Sequence, residues 1–255
     1  MMPMVGIDAS GTGRPMRSAR AFTLIELLVV IAIIAILAAV LFPVFAQARK
    51  RASATACLDY TSQFAKAAYL YTGDYNDKFP CYINFVQGGQ WIIRLWWDTL
   101  QPYVKSTEVY RCPTAGAPDE SNGAGDTNPY GRSIWGSVKH QWQFAGYRGS
   151  HTTNGWMYGP GTSTGHTNGV SLTIVREPTH TMLFSDGVWV DAWPEHTGTL
   201  DPSRDNVGRI FIDRHGGGVN VAFTDGHAKQ IHRDALLRLD DGRPVIYKPH
   251  PSATP

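Results

Sequence analysis

The sequence predicts an α+β fold in which one long N-terminal α-helix packs on a C-terminal antiparallel β-sheet with long loops. Three observations lead to this prediction. The run 27–45 contains no charged residue, and neither Gly nor Pro occurs from Val44 to Thr72. One helix can therefore continue from the apolar run into a polar segment. Near the C-terminus, apolar and polar residues alternate on both sides of Asp225-Gly226, a pair typical of β-hairpin turns.

Residues 1–21 form a basic leader with three arginines and one aspartate. We expect residues 1–15 to be disordered, and Met16 is an alternative start of translation. The whole chain has 23 basic and 21 acidic residues, so removal of the leader leaves 20 of each. This neutral balance argues against nucleic acid as a partner, because nucleic-acid binding needs a concentrated basic surface.

The apolar run is long enough to cross about 30 Å of hydrocarbon as a helix. We expect a single membrane-spanning helix over residues 22–45, with its N-terminus in the cytoplasm and the rest of the chain outside. An ordinary signal peptide, cut after Ala46-Gln47-Ala48, is the competing interpretation. The apolar length and the helical continuation after Phe45 favour a retained helix.

Glu26 lies near the start of this helix, in the otherwise uncharged stretch from Phe22 to Phe45. A carboxylate in hydrocarbon costs about 2.5–3.5 kcal/mol on insertion scales. Membrane helices therefore rarely place a carboxylate there unless it has a partner. We expect Glu26 to pair with a group outside its own helix.

The stretch Arg20-Ala21-Phe22-Thr23-Leu24-Ile25-Glu26 is similar to the N-terminus of type IV prepilins, the pilins of surface pili and the pseudopilins of type II secretion. The resemblance implies that a membrane-embedded prepilin peptidase cuts between Ala21 and Phe22 and methylates the new amine of Phe22. It also implies that Glu26 pairs with the Phe22 amine of a neighbouring subunit in a filament. The family usually has Gly where this chain has Ala21, which is the mildest replacement.

Pro43 falls where pilins commonly carry a proline that loosens the helix during packing in the filament. A proline removes one helical hydrogen bond and clashes with the preceding turn. The alternative is that Pro43 marks the end of the membrane helix. Beyond it, residues 46–74 keep small and aromatic residues at helical spacing, which predicts an amphipathic continuation. The whole helix would have about 50 residues and a length of roughly 75 Å.

A turn is predicted where Gly73 to Pro80 follow the helix. Asp74, Asn76 and Asp77 resemble the start of a calcium-binding EF-hand loop. The glycine and the late glutamate of such a loop are missing, so turn chemistry explains these residues better and a structural calcium is the alternative. A β-rich head is expected over 75–242, with strands at 181–190, 209–213, 219–224 and 227–232. A short helix at 233–239 is possible, and the tail 243–255 is expected to be disordered.

The head carries a second resemblance. His215, nine further residues and then Asp225-Gly226 resemble the signature of a subfamily of bacterial pseudopilin-like proteins. Asp186, His215, Asp225 and His227 could converge as a metal site. With no tightly spaced ligand pair among them, we expect Asp225 to set the hairpin turn, and we predict neither a metal nor a cofactor.

Three cysteines, Cys57, Cys81 and Cys112, follow the membrane run and should lie in an oxidising compartment. An odd number leaves one thiol over. We predict a disulfide between Cys57 and Cys112, with Cys57–Cys81 as the alternative.

Together these features predict a structural filament subunit and not an enzyme, with the prepilin peptidase, other pilin-like subunits and the cytoplasmic membrane as partners. The second interpretation is a minor pilin-like adhesin whose head binds a glycan or another surface ligand, with Trp91, Trp96 and Trp97 as a stacking platform or adhesive surface. The third is a membrane-anchored enzyme.

Overall fold

The structure is a computed structural model that describes residues 22–80, 83–87, 90–128, 131–134, 139–144, 147–158, 169–192 and 214–232. The chain divides into two compact units, Met1–Ala46 and Gln47–Pro255. The element order confirms the expected α+β class, with a long helix first and β-strands after it.

The first element is a single helix, α1, which runs over Leu24–Asp74 and has 51 residues. It ends within the stretch where the sequence predicts a turn, because Asn76 and Asp77 adopt left-handed backbone conformations with φ of 54° and 58°. Pro43 lies inside α1, and the helix continues through it. The proline therefore does not end the helix.

Burial differs sharply along α1. The large apolar side chains from Phe22 to Phe45 are 45–77% exposed. The second half buries one face, and the residues of this face recur at the three- and four-residue spacing of a helix. They are Cys57, Thr61, Phe64, Ala65, Ala67, Ala68, Tyr71 and Thr72.

The described part of the head contains three sheets and a short helix, α2, at Trp96–Leu100. A hairpin pairs β1 (Ile83–Gln87) with β2 (Gln90–Arg94), and four short strands follow in sequential order in a second sheet. These strands are β3 (Gly123–Asn128), β4 (Gly131–Ile134), β5 (Trp142–Phe144) and β6 (Tyr147–Gly149).

The third sheet positions the residues of interest and has the strand order β11-β10-β8-β7-β9. Its strands are β7 (His151–Asn154), β8 (Met182–Asp186), β9 (Asp191–Ala192), β10 (Gly218–Phe223) and β11 (Ala228–His232). The neighbours pair antiparallel except for β7 and β9, which are parallel. The expected C-terminal antiparallel sheet is thus confirmed, with one added parallel edge strand.

The predicted hairpin around Asp225-Gly226 is present, but its loop is longer than the two residues expected. Ala222 pairs with Ala228, and the Phe223 N–H donates to the His227 carbonyl at 2.9 Å. Gly226 takes a φ of +94°, so the loop uses a left-handed residue as its last member. The strand expected at 209–213, the helix at 233–239 and the tail at 243–255 lie outside the described residues.

Phe64 is the centre of the core between α1 and the third sheet. It is fully buried, and its ring centroid lies 5.5 Å from that of Trp96, 5.3 Å from Tyr110 and 5.9 Å from Phe184. Aromatic pairs at such distances add to the stabilisation from buried area. The second half of α1 is therefore an integral part of the head.

Phe64→Ala tests this packing. The loss of a buried aromatic ring should lower the free energy of unfolding by about 3–5 kcal/mol, because the site would be left with a cavity. The measurement is urea unfolding of the full chain in detergent, followed by tryptophan fluorescence.

Tyr69→Ala is the matched control, since Tyr69 lies on the same helix and is 50% exposed. Its effect should stay within about 0.5 kcal/mol. Equal losses for the two variants would contradict the assignment of Phe64 to the core.

Candidate functional site

Helix α1 begins with a capping box formed by Thr23 and Glu26. The Thr23 N–H and hydroxyl donate to Glu26 Oε2 at 2.9 and 2.8 Å, and the Glu26 N–H donates to Thr23 Oγ1 at 3.3 Å. A threonine followed three residues later by glutamate is the sequence pattern of such a box. This local role of Glu26 was missed in the sequence, although Thr-x-x-Glu could have indicated it.

The first half of α1 presents an uncovered apolar surface. Phe22, which precedes the helix, is 70% exposed, and Leu24 is 77% exposed. In the described part of the chain, α1 is the one helix long and apolar enough to span a membrane. An apolar surface of this extent indicates contact with lipid or with other apolar helices. Ala21 and the cleavage position before Phe22 lie outside the described residues.

The head contains a buried group of five side chains, here named the cysteine–histidine cluster: Cys57, Cys112, His151, Asp186 and His215. Cys57 is on the buried face of α1, and Cys112 follows a short 3-10 helix at Thr107–Tyr110. His151 begins β7 and Asp186 ends β8, where the two residues are paired across the strands. His215 lies in the loop before β10.

Polar atoms of the cluster are close together. The Cys57 thiol donates to Asp186 Oδ1 at 3.2 Å, and Cys112 Sγ lies 3.3 Å from His215 Nε2. Asp186 Oδ2 lies 3.6 Å from His215 Nε2, and Asp186 Oδ1 lies 3.8 Å from His151 Nε2. The side chains of the two histidines and of Asp186 are 0–1% exposed. These three side chains are therefore shielded from bulk solvent.

The pKa values of the two thiols shift in opposite directions, and so do those of the two imidazoles. Hydrogen bonding to Cys57 lowers the pKa of the Cys112 thiol, and the same contact together with burial raises the pKa of Cys57. Burial lowers the pKa of His151. For His215 burial acts in the same direction, but the bond to Cys112 and the charge of Asp186 raise its pKa overall. At the Cys112–His215 contact, both pKa shifts favour the charged form of each group.

The predicted Cys57–Cys112 pair is brought together. Both are free cysteines in this structure, and their sulfur atoms lie within 4.8 Å of each other. Cys81, the partner in the alternative pairing, lies outside the described residues. The disulfide stays a prediction, now with its two sulfur atoms placed side by side.

Of the four residues considered as metal ligands, the structure brings together only Asp186 and His215. Asp225 follows the far end of β10, and six residues of extended strand span roughly 20 Å. Asp225 Oδ1 accepts from the His227 N–H at 3.2 Å and lies 2.6 Å from His227 Nδ1. Asp225 and His227 therefore build the hairpin turn, which is the alternative favoured in the sequence.

Two of the three tryptophans considered as a stacking platform are core residues, and the side chain of the third, Trp91, lies outside the described part of the structure. Trp96 and Trp97 are 1% and 3% exposed, and their ring centroids are 5.3 Å apart. Trp97 does border a surface cavity of about 290 Å³ together with Trp142 and Tyr147. The two buried rings do not form an exposed platform for sugars.

The acidic turn after α1 matches ordinary turn chemistry. Asp74 accepts a hydrogen bond from the Tyr103 hydroxyl at 2.7 Å, and Asn76 and Asp77 supply the left-handed residues of the turn. All three are exposed. A calcium ion is not needed to explain them.

Comparisons with known proteins match the N-terminal part of the chain. Residues 16–42 match the family model described as the prokaryotic N-terminal methylation motif. Over 61 residues, 24% of this chain, the sequence is 56% identical to the type IV wide pilus major component PilA4 of Thermus thermophilus, and the chain spans 47% of that relative's length. No solved structure matches the chain. The matches confirm the prepilin resemblance, while the subfamily with the His215 and Asp225-Gly226 signature stays an expectation.

Gly226→Ala tests whether this part of the signature has a backbone role. No atom lies within 4 Å of a Cβ placed on Gly226, so only its φ of +94° opposes a side chain. The variant should lose about 1–2 kcal/mol of unfolding free energy in urea.

Gly73→Ala is the matched control, because Gly73 also has open space around it but lies within α1. This variant should be neutral or more stable by up to about 1 kcal/mol. If the Gly226 variant were as stable as the Gly73 variant, the left-handed turn would not be the reason for the glycine.

Proposed function

We propose that this chain, a type IV prepilin-like protein, is a structural subunit of a type IV pilus or of a type II secretion-like pseudopilus. The observation that carries the proposal is the exposed apolar first half of α1, in which Glu26 is the one charged residue up to Phe45. Most of this segment lies within the matched methylation motif. The family match indicates a structural role, and we propose that the chain is not an enzyme and needs no cofactor.

Processing is the first step of the proposed function. A prepilin peptidase cuts between Ala21 and Phe22 and methylates the amine of Phe22. Phe22 and Thr23 precede α1, so the cut exposes an amine close to the first helical turn. Ala21 is small enough to occupy the position at which the family usually has glycine.

The membrane holds the subunit before assembly. In this state residues 22–45 cross the cytoplasmic membrane, with the N-terminus inside and the head outside. The Thr23 hydroxyl and N–H then provide hydrogen bonds for the Glu26 carboxylate, which has no water around it in the hydrocarbon. Such bonds reduce the cost of burying a polar group.

Assembly replaces lipid by neighbouring helices. The exposed apolar side chains of α1 pack against those of other subunits, and the positively charged amine of Phe22 from one subunit meets Glu26 of the next. Two of the three hydrogen bonds of the capping box reach the carboxylate, and both end on Oε2. Because the two charges meet at only one axial offset between neighbouring subunits, the pair also fixes the axial register of the subunits.

Glu26→Gln separates the two roles of this side chain. Glutamine can serve in the same capping box but carries no charge. The variant should insert into the membrane and be cleaved like the parent. It should give no filaments in a host with a pilus assembly machinery, because removing one partner of a buried charge pair costs about 3–5 kcal/mol at each interface.

Thr23→Val is the matched control. It removes the hydroxyl of the capping box, at a cost of about 1 kcal/mol, and keeps the charge of Glu26. Electron microscopy of sheared filaments should find filaments for this variant and none for Glu26→Gln. The reverse pattern would show that Glu26 acts by capping and would overturn the pairing with Phe22.

A further inference from the structure

We propose that the cysteine–histidine cluster binds one zinc ion through Cys57 Sγ, Cys112 Sγ and His215 Nε2, with the carboxylate of Asp186 as the fourth ligand. This site lies entirely in the unit Gln47–Pro255. The proposal does not depend on filament assembly.

The spacing of the atoms fits a tetrahedral ion. Zinc binds sulfur at about 2.3 Å and nitrogen or oxygen at about 2.0–2.2 Å, so the ligand atoms of a tetrahedral site lie roughly 3.3–3.8 Å apart. Here Cys112 Sγ and His215 Nε2 are 3.3 Å apart, Asp186 Oδ1 lies 3.2 Å from Cys57 Sγ, and Asp186 Oδ2 lies 3.6 Å from His215 Nε2. The Cys57, Cys112 and His215 ligand atoms all lie within 4.8 Å of one another.

The ring nitrogen of His215 that faces Cys112 and Asp186 distinguishes a metal site from a catalytic triad. In a triad one ring nitrogen faces the nucleophile and the other faces the carboxylate. Here the same atom, His215 Nε2, faces both Cys112 and Asp186. A proton relay through this ring is therefore not built, whereas ligand atoms that converge on one point are what a metal requires.

His151 lies beside the proposed zinc site and is not one of its ligands. Its Nδ1 lies 3.2 Å from the Tyr110 carbonyl oxygen, so the Nδ1–H donates there and the lone pair of Nε2 faces the cluster. Nε2 lies 3.7 Å from Cys57 Sγ and 3.8 Å from Asp186 Oδ1. A carbonyl that fixes the tautomer of an imidazole is common around metal centres. Asp186 is the better fourth ligand, because its Oδ1 contacts Cys57 and its Oδ2 lies near His215.

The burial of the two thiols and the carboxylate favours binding of a cation. Two thiols and a carboxylate lie together at 0–1% exposure, and a buried anion is costly unless a positive charge is beside it. Zinc satisfies a set of sulfur and nitrogen ligands, whereas calcium and magnesium prefer oxygen. A surface cavity of about 450 Å³ reaches His215, and its lining includes Lys50, Arg51, Lys139 and Arg214.

A Cys57–Cys112 disulfide and a zinc ion are mutually exclusive, because the disulfide would consume both sulfur ligands. The test uses the full chain in detergent with Cys81→Ser, so that only these two thiols remain. The protein is purified without oxygen and without a histidine tag, exposed to zinc and then desalted. Zinc is counted by inductively coupled plasma mass spectrometry, and the mass of the intact chain is recorded.

We expect about one zinc ion per chain, and less than a tenth of that in Cys112→Ser and in His215→Ala. His227→Ala is the matched control, since this histidine lies in the hairpin turn, and it should keep the full zinc content. Cobalt in place of zinc should give the near-ultraviolet absorption of a thiolate–cobalt bond, and Cys57→Ser should weaken it.

The parent protein alone can overturn the proposal, whatever the stability of the variants. A folded parent, as judged by circular dichroism, that retains no zinc would do so. A mass about two units below that of the reduced chain, with no zinc bound, would establish the disulfide instead. Zinc retained equally by the parent and by both ligand variants would place the ion elsewhere.

Discussion

Burial of one face of α1, from Cys57 to Thr72, is the interaction on which the rest of the head depends. Phe64 on this face contacts rings from α2, from the loop before Cys112 and from β8. The same face carries Cys57 into contact with Asp186 at the end of β8. The helix therefore provides both the centre of the hydrophobic core and one wall of the cysteine–histidine cluster.

The first half of the same helix has no such cover. Its apolar side chains are exposed and it holds a single carboxylate, Glu26, whose hydrogen bonds come from Thr23. One continuous helix thus combines a segment that its own head buries with a segment whose large apolar side chains are exposed. This division is the physical basis for proposing a subunit that moves from a membrane into a filament.

Much of the fold could be predicted from the sequence, because its strongest signals are periodic. The uncharged run and the absence of Gly and Pro from Val44 to Thr72 predicted α1 and its end, and the Asp225-Gly226 pair predicted the hairpin. The loop length was wrong because the pair Asp-Gly is compatible with several hairpin turns, and only the register of Ala222 with Ala228 decides among them. The middle strands were not predicted individually, because they have three to six residues and little alternation.

Only part of the candidate site in the head could be predicted from the sequence. Cys57, His151 and Asp186 are far apart in the chain and meet through the pairing of β7 with β8 and the packing of α1, for which no local pattern exists. Asp186, His215, Asp225 and His227 were considered together because they could converge at one end of the sheet. The length of β10 separates Asp225 and His227 from His215, so only Asp186 and His215 meet.

The central claim is that this chain is processed as a prepilin, and the N-terminus of the mature protein tests it most directly. The chain is co-expressed with a prepilin peptidase, and the product is examined by N-terminal sequencing and intact mass. The account predicts a mature chain that begins at Phe22 and carries one added methyl group. A chain cut after Ala48, or one left uncut, would contradict it and would indicate a secreted or membrane-tethered domain instead.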